Sequence, residues 1–224
     1  MRILCVSDHK DPIVYSSQVK KRFKDIDLIL GAGDLDMSYY GFIVSSLNKP
    51  LLFVFGNHNL EKISHFKKRF QSDYEDPTLG TLARRHSYGS TCIGGRVVRE
   101  KGLIIAGLGG SRRYNKDLNQ YTEVQMYMQI FRMAPKLIWN RVFRGRHVDI
   151  LLTHAAPFGI GDRPDLCHLG FRAFLSFMKW FRPTYLIHGH IHLYDMNAER
   201  EFSYLGTRIV NAYNHTVVEI EALA

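Results

Sequence analysis

The stretch Leu186-Ile187-His188-Gly189-His190-Ile191-His192 decides how the rest of the chain is read. Its apolar lead-in, Tyr185 to Ile187, predicts a short buried strand. The strand runs into three histidines on alternate positions, which in extended backbone point the same way, so His188, His190 and His192 could share one side. Neutral imidazole is the commonest side-chain ligand of transition metals. Taken alone, an H-x-H is a polar loop; what changes the reading is how other strands in the chain end.

Working outward, Arg2 to Ser7 is a first apolar run that ends in Asp8-His9-Lys10. A basic segment with Val14, Val19 and Phe23 at helical spacing leads to Leu28-Ile29-Leu30, which ends in Gly31-Ala32-Gly33-Asp34. A helix from about Tyr39 to Leu47 precedes Leu51 to Phe55, which runs into Gly56-Asn57-His58-Asn59. Later, Val148 to Leu152 leads into Thr153-His154. Strand, helix, strand, helix, strand, with nearly continuous apolar strands, is the pattern of a sheet covered on both faces. In such folds the loops at the carboxyl ends of strands gather into one crevice. One aspartate after a strand is normally a turn residue or a helix cap. Five strand ends carrying Asp8, Asp34, Asn57, His154, and His190 with His192 instead predict a joint metal site.

The middle of the chain carries less signal. Glu61 to Phe70 is helix-like, and Gln71 to Gly80 reads as an acidic loop. Glycines around Arg96-Val97-Val98 and Leu103-Ile104-Ile105-Ala106 predict a hairpin. A long helix is expected from Thr122 to Phe143, broken or kinked at Pro135, with its aromatic and methionine side chains as packing surface. Phe171 to Phe181 has helical core spacing, and Arg208 to Asn211 and Thr216 to Ile220 read as strands. No repeat, low-complexity tract or linker interrupts the chain, so one domain over 1–224 is expected.

Composition bounds the rest. At 224 residues, 46% hydrophobic and 23% charged, this is an ordinary globular mix. No apolar run reaches membrane-span length, and the N-terminus reads as a strand rather than a signal peptide. Three cysteines without paired spacing fit a reduced compartment, so a cytoplasmic location is expected; Cys5 and Cys167 read as packing residues. The net charge of +9 is spread over several clusters, among them Lys67-Lys68-Arg69, Arg84-Arg85 and Arg112-Arg113. It supports an anionic substrate only weakly.

The ordered set Asp8-His9-Lys10, Gly33-Asp34, Gly56-Asn57-His58-Asn59, His154 and Gly189-His190-Ile191-His192 resembles the calcineurin-like metallophosphoesterase superfamily. Its signatures are D-x-H, G-D, G-N-H-[DE], H and G-H-x-H in that order, and the resemblance covers essentially the whole chain. Leu108 to Asn115 and His154 to Arg163 look most like its small standalone phosphodiesterase branches. The resemblance implies an α/β fold, a four-layer α/β/β/α sandwich of mixed sheets flanked by helices. It implies a metal-dependent phosphoric ester hydrolase using one or two divalent ions. By the same resemblance Asp34 would bridge two ions, Asn57, His154 and His190 would complete the second, and Asp8 and His192 would serve the first. His58 would act on the phosphoryl oxygens or the leaving alcohol. Apart from the resemblance, Lys10 and Arg163 are candidate substrate-binding residues. Carboxylate, amide and imidazole ligands suit manganese, iron or zinc. The expected substrate is a small phosphodiester or nucleotide.

Three positions depart from the family pattern. Lys10 stands where D-x-H has histidine, and a charged ammonium has no lone pair with which to ligate. Lys10 could instead supply positive charge near the first ion or bind substrate phosphate. His9 points the other way in extended register, and Asp11 is a further candidate ligand. Asn59 replaces an acid, and Ala156 a common proline. The expectation is an intact second metal site and a weakened first one, hence low activity. The alternatives are a catalytically quiet protein that binds a nucleotide or phosphate, and a nuclease, which lacks the support of a basic helix with interleaved aromatics. A lipid-linked substrate is a further option, because Phe131 to Phe143 is basic and aromatic. Oligomeric state is not legible.

Overall fold

Alternate residues of β1 (Arg2–Ser7) are buried in different places: Ile3 and Cys5 join one apolar cluster, Leu4 and Val6 another. The same split recurs in β2 (Leu28–Gly31), where Leu28 and Leu30 part from Ile29. It recurs in β3 (Leu51–Phe53), where Leu52 parts from Leu51 and Phe53. A strand dry on both faces lies inside a layered structure, and the two-residue period divides its side chains between layers. The structure, a computed structural model, describes residues 1–66, 87–195 and 197–220.

Two sheets result. In the first, β1, β2, β3 and β4 (Ser90–Cys92) run parallel, and β13 (Asn214–Glu219) pairs antiparallel on the free side of β1. In the second, β6 (Leu103–Leu108), β9 (Ile150–Thr153), β10 (Tyr185–His188) and β12 (Thr207–Asn211) are parallel. Antiparallel edges, β5 (Arg96–Glu100) and β11 (Glu201–Tyr204), close that sheet on either side. Leu28, Leu30 and Leu52 meet Ile105, Leu152 and Ile187 between the sheets. Helices α1 (Val19–Arg22) and α2 (Met37–Leu47) cover the outer face of the first sheet. Helices α4 (Glu123–Arg144) and α5 (Arg172–Phe181) cover the second. The architecture is therefore the expected four-layer α/β/β/α sandwich. A short pair, β7 (Ser111–Arg112) and β8 (Gln120–Tyr121), leads into α4, and no described helix is long and apolar enough to cross a membrane.

Several local expectations change. The helix expected over 61–70 is seen as α3 (Ile63–Phe66); its remainder, the acidic loop at 71–80 and the basic clusters at 67–69 and 84–85 lie outside the described residues. Helix α4 runs through Pro135 without a break. Proline there removes a bond to the Phe131 carbonyl, but both residues are on the solvent side, where water replaces the lost donor, and the buried side is held by Met126, Ile130, Met133 and Leu137. The packing role expected for the α4 aromatics is corrected for Phe131, Trp139 and Phe143, which are 58%, 59% and 63% exposed. Cys5 is core as expected, whereas Cys167 is exposed.

Candidate metal centre

The site forms because strands from both sheets end along one edge. Asp8 follows β1, Asp34 follows β2 and Asn57 follows β3; His154 follows β9, and His190 and His192 follow β10. Asp8, Asp34 and His190 have φ of 65°, 57° and 67°, so each side chain is re-aimed at its strand end at a cost of about 1 kcal/mol or more. That backbone reversal corrects the expectation for the histidines. The two-residue period stops at His188, whose ring is buried with Nδ1 against its neighbour Gly189 carbonyl, while His190 faces the crevice.

Asp34, His154 and His190 each present a ligand atom within 4.8 Å of the other two, and all three are buried. His154 Nε2 lies 3.3 Å from Asp34 Oδ2 and 3.0 Å from Asn57 Oδ1, and its Nδ1 lies 2.7 Å from the Ala32 carbonyl. Only acceptors therefore surround this ring. Burial opposes its charging, but the Asp34 carboxylate overrides burial and lifts His154 to about 9. Burial likewise opposes the Asp34 carboxylate, yet His154 and the His58 N–H, 2.7 Å from Oδ1, hold it at about 2. Burial and the charge on His154 keep His190 neutral, at about 3.

These donors fit a divalent cation. The Nδ1 contact of His154 fixes the tautomer that turns an Nε2 lone pair inward, and His190 Nε2 is taken by the Cys167 carbonyl at 2.8 Å, which leaves Nδ1. Asn57 donates its amide N–H to Tyr114 Oη at 3.0 Å, so its oxygen faces His154.

Asp8 lies beside this group, its two oxygens each 3.0 Å from the His190 N–H, and burial lifts it to about 6. Gly189 permits the approach: a Cβ there would stand 1.8 Å from Ser7 Oγ and 2.6 Å from Asp8 Oδ2. His192 Nε2 is 3.9 Å from Asp8 Oδ1, and its ring stacks on Tyr213 at 4.9 Å. Lys10 forms an ion pair with Asp36, and both line a cavity of about 250 Å³ with Asp8, His9, Asp34 and Asn59. Asp11 is engaged elsewhere, by the Ile13 N–H and His215 Nδ1. The His58 ring is exposed; Asn59 donates to the Asp34 carbonyl at 2.7 Å, a bond the more usual acid could not make while ionised. Arg163 reaches the His192 carbonyl at 2.7 Å and so braces the histidine loop.

Three contributors escaped the sequence reading: Tyr114, which orients Asn57; the Cys167 carbonyl; and His168, whose ring lies 5.2 Å from that of His190 and is paired with Asp165. All lie in irregular segments. Only Tyr114 fell in a stretch, Leu108 to Asn115, that the family resemblance had marked.

No curated protein matches the sequence. Among solved structures, one crystal structure aligns over 97% of this chain and 94% of its own, with a TM-score of 0.66 at 12% identity. The protein TT1561 of Thermus thermophilus aligns over 95% of this chain and 89% of its own, with a TM-score of 0.61 at 13% identity. An archaeal phosphodiesterase aligns over 96% and 84%, with a TM-score of 0.43 at 12% identity. At such identities the first two likenesses carry the fold alone. The sequence itself matches the calcineurin-like phosphoesterase family over residues 1–194. With that match over most of its length, the chain belongs to the calcineurin-like phosphoesterase family.

Proposed function

We propose that this chain is a metal-dependent phosphoesterase that hydrolyses a phosphodiester or a nucleotide. The observation that carries the reading is the meeting of Asp34, His154 and His190, drawn from two sheets with ligand atoms within 4.8 Å of one another, and of the Asn57 oxygen 3.0 Å from His154 Nε2. These four would hold one ion, with Asp34 shared; Asp8 and His192 would hold a second. Bound manganese, iron or zinc would supply Lewis acidity toward a phosphoryl oxygen and a nucleophilic water at neutral pH. The protein's part is to orient and to move protons. His58, exposed beside Asp34, would contact a phosphoryl oxygen or protonate the departing alcohol. Lys10 is held at the cavity rim by Asp36, where its ammonium can bind a substrate phosphate, and Arg163 adds charge on the opposite loop.

Because Lys10 offers no lone pair, the first ion is held more weakly than the second, and turnover is slow. The test is hydrolysis of bis-p-nitrophenyl phosphate with added manganese, with Asp34→Ala as the blank. No turnover above that blank with any of the three metals would overturn the reading. Lys10→His should raise both the metal content after dialysis and the rate; a fall in both would give lysine a positive role. Lys10, standing where the family signature has a ligating histidine, also favours a second reading, a protein that binds a nucleotide or phosphate without turnover. Tight binding of a nucleotide, with no hydrolysis even in Lys10→His, would select it.

A further inference from the structure

Helix α4 is apolar on both sides. Met126, Ile130, Met133 and Leu137 face the core, while Val124, Met128, Phe131, Pro135, Ile138 and Val142 follow one another in steps of four and three on the outer face. Val142 is 71% exposed. Trp139 and Phe143 join this stripe, packed together at 4.0 Å, and Trp180 of α5 extends it by stacking on Phe131 at 6.0 Å. A continuous exposed apolar surface of this kind marks an interaction site.

The charge that these two helices expose beside it has one sign. Arg132, Lys136, Arg141 and Arg144 are exposed on α4, and Lys179 and Arg182 on α5 and its end. No acid occurs between residues 124 and 148 or between 172 and 183. The one acid of α4, Glu123, is turned away, accepting the Arg172 and Ala173 N–H groups at the start of α5. A second copy of this chain would set cation against cation. At helical periodicity Arg132 and Lys136 fall on one flank of the stripe and Arg141 on the other, with none at its centre. That is the layout of a helix lying in the plane of a lipid interface, with rings below and cations at headgroup level.

We infer that this two-helix face seats the protein on an anionic lipid surface. Phe131, Trp139, Phe143 and Trp180 enter the headgroup region, and the flanking arginines and lysines pair with lipid phosphates. The inference is independent of turnover at the metal centre.

Both tryptophans of the chain lie on this face, so their emission reads the event directly. The protein is mixed with extruded vesicles of phosphatidylcholine alone, or of two parts phosphatidylcholine to one part phosphatidylglycerol. The expected result is a blue shift and co-sedimentation with the second kind only, weakened by salt. Arg132→Gln with Lys136→Gln should lower partitioning roughly thirtyfold. Phe131→Ser with Val142→Ser should lower it by roughly tenfold or more, while the melting temperature falls by no more than about 5 °C, because both side chains are exposed and only the ring contacts of Phe131 are lost. Absence of co-sedimentation with the anionic vesicles, or partitioning unchanged in either variant, overturns the inference. So does binding to polyglutamate without binding to vesicles, which would assign the face to an acidic protein. A dimer dissociated by Phe131→Ser, without vesicle binding, would assign it to a second copy.

Discussion

A Cβ on Gly56 would stand 2.0 Å from Asp34 Oδ1 and 2.6 Å from His154 Cε1, so this position admits hydrogen and nothing larger. Asp34 has little room to yield, since the His58 N–H holds its carboxylate and the Asn59 amide its backbone carbonyl. Gly56→Ala should therefore displace the carboxylate and lower bound metal and turnover roughly ten- to a hundredfold, the scale of a lost supporting contact. Elemental analysis after dialysis checks it, and full metal content in the variant would mean that the loop has slack the packing does not show. At this scale the sequence revealed residue types but not their orientation. Asn57 was legible as a donor from its place after an apolar strand; that its oxygen rather than its nitrogen faces His154 depends on Tyr114, 57 positions away.

Among the elements, the strands were the most legible. β1, β2, β3, β9 and β10 are short apolar runs stopped by glycine or polar residues, and the candidate ligands sit where those runs stop. β11 was missed because an edge strand alternating between exposed and half-buried residues carries no apolar run. The outer face of α4 was misread for a related reason: a helix with two apolar stripes looks buried in sequence, and only the packing shows which stripe is wet. At the other end of the second sheet, Asp149 ties three strands together. Its carboxylate accepts the buried Ile104 N–H at 2.7 Å and Arg146 Nε at 2.6 Å, and its carbonyl takes the Thr184 and Tyr185 N–H groups. Asp149→Ala leaves the Ile104 donor unpaired and should cost about 1–3 kcal/mol in chemical denaturation. Metal content should not change, because the metal centre forms at the opposite ends of these strands; a loss of metal would show that the sheet transmits the defect.

Over the whole molecule, the two sheets meet mainly through apolar side chains, which grip without fixing register. Other ties span them, such as Tyr185 Oη on the Glu219 carbonyl, and two are larger. One is the tail, which leaves β12 in the second sheet and enters β13 in the first, its turn gathered by Arg200 Nη1 on the Asn211, Tyr213 and His215 carbonyls. The other is the candidate metal centre, with Asp8, Asp34 and Asn57 hung from one sheet and His154, His190 and His192 from the other. A cation clasped there would splint the halves of the sandwich, and the folding equilibrium itself would register its arrival. At a hundredfold excess over Kd the gain is about 2.7 kcal/mol, which for a chain of this size raises Tm by about 5–10 °C. Manganese titrated into a thermal melt should give that rise in the wild type and none in Asp34→Ala. A flat wild-type curve would mean that the two halves do not grasp an ion together.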